Sequence, residues 1–290
     1  MKTFFKQFVF ALTVFFILLV ILDLVYTQIY SHPVYARNKV NWLMNKEPNQ
    51  QFDYAIFGSS RVFFHLNPQQ IKSETGLSGI NLGYPGSNNF EIKLMVKEFL
   101  KHQKTKKIFI QVDEQYNKER LDPIAIIPWM PFIKDDYIYN EIKTVDSAAV
   151  YKKYIPFYRY MVYDSKLGFR EIMMSFINAN KFDSTNGFAV PSGIMQKRRE
   201  LSTIKLENKK NNQLQIIIDI CKKENIDLFF FTAPYYNTSI NTEVLKEQLP
   251  NYRDFSGVFR EMDYFGDPSH LSKKGAEAFT SLFSNTYFKN

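Results

Sequence analysis

Asp53-Tyr54-Ala55-Ile56-Phe57-Gly58-Ser59-Ser60-Arg61 begins as a short apolar run and stops abruptly at a glycine and two serines. The residues that follow, through Phe64 and Leu66, read as a turn of helix. A strand, a glycine-bearing turn and a helix N-terminus put a serine hydroxyl at the carboxyl edge of a sheet. Open α/β sheets hold their sites there, and backbone N–H groups at the helix start can face a bound group. Taken alone, Gly-Ser-Ser after a strand also describes a plain turn with a helix cap, so the segment speaks first to fold class.

Downstream, helices and apolar strands alternate. Asn88 with Glu91 forms a capping-box pattern for a helix whose apolar stripe is Ile92, Met95, Val96, Phe99 and Leu100. The strand Lys107-Ile108-Phe109-Ile110-Gln111-Val112 follows. A helical stripe of Leu214, Ile217, Ile218 and Cys221 then precedes the apolar run Ile226-Asp227-Leu228-Phe229-Phe230-Phe231, which Thr232-Ala233-Pro234 closes. Such strands predict an α/β domain whose parallel sheet is covered on both faces. A chain of 290 residues holds one such domain and an insertion. The lone Cys221 reads as a small core residue and has no intramolecular disulfide partner.

At the N-terminus, Lys2 and Lys6 precede an almost unbroken apolar run from Phe8 to Tyr26, with Thr13 and Asp23 as its polar members. About 19 residues at 1.5 Å each rise roughly 28 Å, the thickness of a bilayer core. The run exceeds the h-region of a signal peptide, and the competing cleavage site at Val34-Tyr35-Ala36 lies well past its end. We therefore expect a single uncleaved membrane anchor. The basic residues ahead of it keep the N-terminus cytoplasmic and export the rest, to a periplasmic or extracellular location. The expected organisation is an anchor over residues 1–30, a linker over 31–50, and a domain over 51–290. An aromatic- and proline-bearing insertion interrupts that domain at about 118–205.

Near the other end, Asp267 and His270 stand three apart in Asp267-Pro268-Ser269-His270-Leu271. Ser272 is positioned to cap a last helix bearing Phe279, Leu282 and Phe283. On such a turn the carboxylate reaches the imidazole, fixing its tautomer and stabilising the imidazolium formed when it takes a serine proton. His32, His65 and His102 have no carboxylate at that spacing. Ser60, Asp267 and His270 therefore supply a nucleophile, an orienting carboxylate and a base.

With both motifs in this order, the chain resembles the SGNH hydrolase superfamily, also called the GDSL esterases. Gly58-Ser59-Ser60 matches that family's nucleophile turn with serine in place of the aspartate, which makes Ser60 the expected nucleophile. The family's C-terminal Asp-x-x-His matches Asp267 and His270. Its second block is similar to Asn81-Leu82-Gly83-Tyr84-Pro85-Gly86-Ser87-Asn88, so the resemblance assigns an oxyanion N–H to Gly86. The third block departs: where the family has Gly-x-Asn-Asp, this chain reads Asp113-Glu114-Gln115-Tyr116-Asn117. Gln115 falls at the position of the oxyanion asparagine. Altered third blocks also occur in membrane-tethered relatives that modify polysaccharides, a looser resemblance. The implied fold is a three-layer flavodoxin-like SGNH domain behind one N-terminal transmembrane helix.

The resemblance implies acyl-ester chemistry, expected here on a cell-surface carbohydrate, as hydrolysis or as O-acyl transfer. On this resemblance Ser60, Asp267 and His270 are the expected catalytic group, and the N–H groups of Ser60 and Gly86 with Gln115 the expected oxyanion hole. Transfer would require an acyl-delivering partner, such as a multi-pass membrane acyltransferase. The alternative from another class is a non-catalytic accessory module that binds glycan within a polysaccharide-modifying complex. The net charge of +8 and the cluster Lys197-Arg198-Arg199 suit anionic lipid or acidic polysaccharide, because no nucleic-acid motif accompanies them. With no metal-site spacing and no phosphate-binding glycine loop, the sequence calls for no cofactor and no metal.

Overall fold

Tyr54, Ala55, Ile56 and Phe57 are fully buried at the end of the first strand, as a strand covered on both faces requires. The described residues form seven strands: β1 (Gln51–Phe57), β2 (Gly79–Asn81), β3 (Lys104–Gln111), β4 (Ser202–Ile204), β5 (Asp227–Thr232), β6 (Thr238–Ile240) and β7 (Tyr252–Asp254). This computed structural model describes residues 1–35, 37–177 and 182–289. They divide into two units: Met1–Lys46 with Ile126–Asn180, and Glu47–Ala125 with Lys181–Asn290.

The larger unit is α/β. Its five-stranded sheet has the order β2-β1-β3-β5-β7, and every pairing is parallel. Tyr54 lies opposite Gly79 on one side and Lys107 on the other; Phe109 lies opposite Phe229. From β1 the chain goes outward to β2, then returns over β1 to β3. Right-handed crossovers in these two directions put their helices on opposite faces. One face packs the helices Ser60–His65, Pro68–Thr75 and Lys273–Tyr287 over Tyr54, Ile56, Phe109 and Phe231. The other packs Asn89–His102 with Asn212–Lys223, and there Phe57 meets Phe99 edge-on. The strand order reverses between β1 and β3, so the crevice beyond their carboxyl ends is the topological switch point.

Several local expectations have their counterparts here. Asn88 and Glu91 make a reciprocal capping box, and Ser272 Oγ accepts the Gly275 N–H at 3.2 Å. Phe279 and Phe283 are fully buried, and Cys221 is buried.

The smaller unit is helical. Its first helix, Lys2–Ser31, contains an 18-residue stretch of mean hydropathy 3.0, long and apolar enough to cross a membrane. Near its end Asp23 is buried, accepting the Phe157 N–H at 3.0 Å and pairing with Arg159 at 2.7 Å and with Lys134. Thr27 and Tyr160 share a hydroxyl hydrogen bond of 2.8 Å.

Two boundaries differ from the sequence reading. Residues 31–50 are not all linker: Asn38 caps a helix over Lys39–Met44 that buries Val40, Trp42 and Leu43. Those few apolar residues are hidden in a stretch dominated by Asn, Pro and charge. The expected insertion also divides, its 126–180 portion joining the N-terminal helix and not the sheet. Trp129, Tyr139 and Tyr160 are buried there, whereas Tyr151 and Tyr154 are exposed. The alternative cleavage site at Val34-Tyr35-Ala36 ends on Ala36, which lies outside the described residues.

Candidate active site

Ser59 and Ser60 differ in what holds them. Ser59 is the N-cap of the Ser60–His65 helix: its Oγ accepts the Arg61 N–H at 3.3 Å and donates to Gln111 Oε1 at 2.9 Å. Its own N–H donates to the same Gln111 oxygen at 2.9 Å. Its hydroxyl is therefore committed to the turn. Ser60 is the first helical residue, and its Oγ lies 2.8 Å from His270 Nε2.

On the far side of the imidazole, His270 Nδ1 is 2.9 Å from Asp267 Oδ2 and 3.1 Å from Oδ1. A carboxylate there holds the ring proton on Nδ1 and leaves the Nε2 lone pair toward Ser60, the arrangement of a general base. The local chain fixes this geometry. Asp267 Oδ1 accepts the N–H groups of Ser269 at 2.8 Å and His270 at 2.9 Å, folding Asp-x-x-His into a tight Asx turn. Burial pushes the Asp267 carboxyl up, but the Ser269 N–H and the His270 ring outweigh it and hold the carboxyl below its usual range. Asp267 stays ionised opposite the ring.

Arg61, which the sequence reading passed over, ties these parts together. Its guanidinium is buried, pairs with Asp113 just past β3, and lies 3.4 Å from the Tyr235 ring centre. It also donates to the carbonyls of Ala233 and Pro234 at 2.6 Å each, and to that of Ser269 at 3.1 Å. One side chain thus links the serine helix, the ends of β3 and β5, and the histidine turn. Gln111 completes the bracket, donating to Asp113 while accepting from Ser59. An arginine beside the serine and an aspartate after the next central strand were the available signal.

His65 is the second residue overlooked. It is fully buried and its Nε2 accepts the Leu271 N–H at 3.0 Å, fixing the chain immediately after His270. Burial, then the nearby Arg61 and His270, hold its pKa well below the usual 6.5. The unfolded chain therefore binds a proton below about pH 6.5 that the folded chain does not. The sign follows: stability is fully present above pH 6.5 and falls as pH drops below it. We expect His65→Gln, which keeps an acceptor for Leu271, to flatten the decline between pH 6.5 and 5.5 in urea unfolding of the detergent-solubilised chain. An unchanged slope contradicts the assignment.

The second block runs alongside the serine turn. Leu82 N–H donates to Ile56 O at 2.7 Å and Tyr84 N–H to Gly58 O at 2.9 Å. Asn81, also buried, donates to the Val62 and Leu66 carbonyls at 2.7 Å each, satisfying acceptors at the end of the serine helix. Gly86 follows at φ +81, a conformation that suits glycine, and its N–H makes no hydrogen bond among the described residues.

Gln115 is placed differently from the expectation. It is 3 % exposed; its Nε2 donates to Gln111 O at 3.1 Å and its Oε1 accepts the Asp113 N–H at 3.1 Å. Its amide thus clips the turn after β3, donor and acceptor both engaged there. Accordingly, Gln115→Ala is expected to cost about 1–2 kcal/mol of stability through the lost turn bonds while kcat changes by less than about tenfold. A 10²-fold fall in kcat at unchanged stability would restore the oxyanion role.

Beside the histidine turn, Tyr236 N–H donates to Pro268 O at 2.9 Å. Tyr235 and Tyr236 also line a cleft of about 670 Å³ with Arg198, Arg199, Phe259 and Arg260. Part of the basic cluster read from the sequence therefore borders an aromatic-walled cleft. Among the described residues no cluster of His, Cys, Asp and Glu could hold a metal ion.

A scan against protein-family models matches no family, and a search of curated proteins finds no significant relative.

Proposed function

We propose that this protein is a membrane-anchored serine acyl-ester hydrolase or O-acyltransferase of the SGNH type, acting on a cell-surface carbohydrate. The observation that carries this reading is the 2.8 Å approach of Ser60 Oγ to an imidazole whose other nitrogen faces the Asp267 carboxylate. Two further facts support it. Counted along the chain, the five-stranded sheet has the order 2-1-3-4-5 of flavodoxin-like folds, and Ser60 follows β1 at the switch point.

In the proposed reaction Ser60 Oγ bonds to the acyl carbon as its proton passes to His270 Nε2. Asp267 stabilises the imidazolium, and the N–H groups of Ser60 and Gly86 hold the oxyanion. Collapse breaks the bond to the leaving alcohol, whose oxygen takes the proton from His270. Water or a sugar hydroxyl then releases the acyl group by the same steps in reverse, giving hydrolysis or transfer. The cleft with Tyr236, Phe259 and three arginines offers ring faces and positive charge to an acidic carbohydrate.

The test is turnover of short-chain aryl esters by the full-length chain, with and without oligosaccharide acceptors. Acceptor-dependent acyl transfer identifies a transferase, and acceptor-independent release an esterase. No turnover with any donor favours a glycan-binding accessory module. Location has its own test: a C-terminal reporter active only outside the cytoplasm is expected to be active and to sediment with membranes.

A further inference from the structure

The helix Phe169–Ile177 buries one face within the unit and leaves an apolar stripe largely exposed. Ile172 and Ser175 are buried, whereas Phe169, Met173, Phe176 and Ile177, at spacings i, i+4, i+7 and i+8, are 47–71 % exposed. Those spacings form a single stripe along the helix. Met161 and Val162 in the same unit are also exposed, at 49 and 48 %.

This surface is continuous with the end of the N-terminal helix. Tyr30 donates to Gly168 O at 3.1 Å, Arg37 pairs with Glu171 at 2.7 Å, and the Tyr35 and Phe176 rings meet at 4.8 Å. A hydrocarbon core of about 30 Å takes about 20 residues of helix. Counted from just after Lys6, such a span ends near Tyr26. Tyr30 then lies about 6 Å beyond the hydrocarbon edge, within the headgroup region that adds about 5–7 Å on each side of the core. Asp23 falls about one turn inside that edge, and a carboxylate at such depth needs protein around it. Arg159, fully buried against it, provides that protein partner.

We propose that the Phe169–Ile177 helix lies in the headgroup layer of the bilayer crossed by the N-terminal helix, its exposed stripe among the acyl chains. The span and this helix then hold the small unit at two points, restricting the rotation that a single-helix tether allows. The occupant of the stripe is lipid because the surface begins where the span emerges and matches the interfacial layer in depth. The proposal rests on the helix spanning the membrane and is independent of the acyl chemistry.

Single cysteines at Met173, Ile177, Ile17 and Lys106, in a Cys221→Ser full-length chain, carry an environment-sensitive fluorophore in phosphatidylcholine–phosphatidylglycerol vesicles. Lys106 supplies the aqueous reference, its side chain being 83 % exposed. Labels at Met173 and Ile177 are expected to be quenched at least about twofold by lipids with a shallow nitroxide, and to be several-fold less accessible to iodide than the Lys106 label. The Ile17 label is expected to respond to a deep nitroxide. Iodide accessibility at Met173 and Ile177 equal to that at Lys106 overturns the proposal. Protection from both iodide and lipid quenchers also overturns it, in favour of a second copy or another protein on the stripe. An Ile17 label that lipid does not quench removes the span and the proposal with it.

Discussion

Ser60→Ala is expected to lower kcat for ester turnover by at least about 10⁴-fold and to leave the fold intact. In the proposed reaction this change removes the nucleophile, whereas the remaining groups only bind substrate and polarise its carbonyl. Among the described residues Ser60 Oγ hydrogen-bonds only His270, so the substitution strips nothing from the turn itself. Ser59→Ala has the opposite signature. It removes the helix cap and the bond to Gln111, costing about 1 kcal/mol of stability, and leaves most of the turnover. Unfolding midpoints measured beside kcat separate the two serines. If Ser59→Ala is the inactive variant and Ser60→Ala still turns over, the assignment of the nucleophile is wrong.

The second large effect is expected at Arg61. Its removal leaves the buried Asp113 carboxylate without its cation and three carbonyls without their donor. Breaking a buried pair in this way costs about 3–5 kcal/mol. Arg61→Met should therefore lower the denaturation midpoint steeply and reduce turnover even where the fold survives, because Ser269, which it holds, precedes His270 in the chain. Arg61→Lys should recover little, since one ammonium cannot replace a planar fork that serves Asp113 and three carbonyls at once. The double variant Arg61→Met with Asp113→Asn should recover stability, as no buried charge is then left alone, but not turnover. A lysine variant with full activity and stability would show that only charge matters at this position.

What could be read directly from the chain was local. The strand into Gly58-Ser59-Ser60, the Asx turn of Asp267 and His270, the Asn88–Glu91 box and the Ser272 cap each complete themselves within a few residues. So does the apolar run from Phe8 to Tyr26, whose length alone marks a helix able to cross a membrane.

What was hidden depends on which elements the fold makes neighbours. Arg61 meets Asp113 because β1 and β3 are adjacent, a pairing of residues 52 apart that no local pattern announces. His65 was set aside for lack of a nearby carboxylate, yet its partner is the Leu271 main chain. Gln115 was placed by position in the third block, but a side chain one methylene longer than asparagine can close onto its own turn. Between 126 and 177 the helices are four to nine residues long, too short for a 3.6-residue period to emerge from so many aromatic residues. Asp23 looked like an interruption of the anchor because Arg159 lies far away in sequence.

Peptide mapping after fluorophosphonate treatment of the full-length protein addresses the central claim most directly, because a covalent adduct reports the nucleophile without knowledge of the natural substrate. The account predicts a single phosphonylated residue at Ser60, with labelling strongly reduced in His270→Ala and retained in Ser59→Ala. An adduct on another residue, or no adduct on a folded wild-type chain, would contradict it.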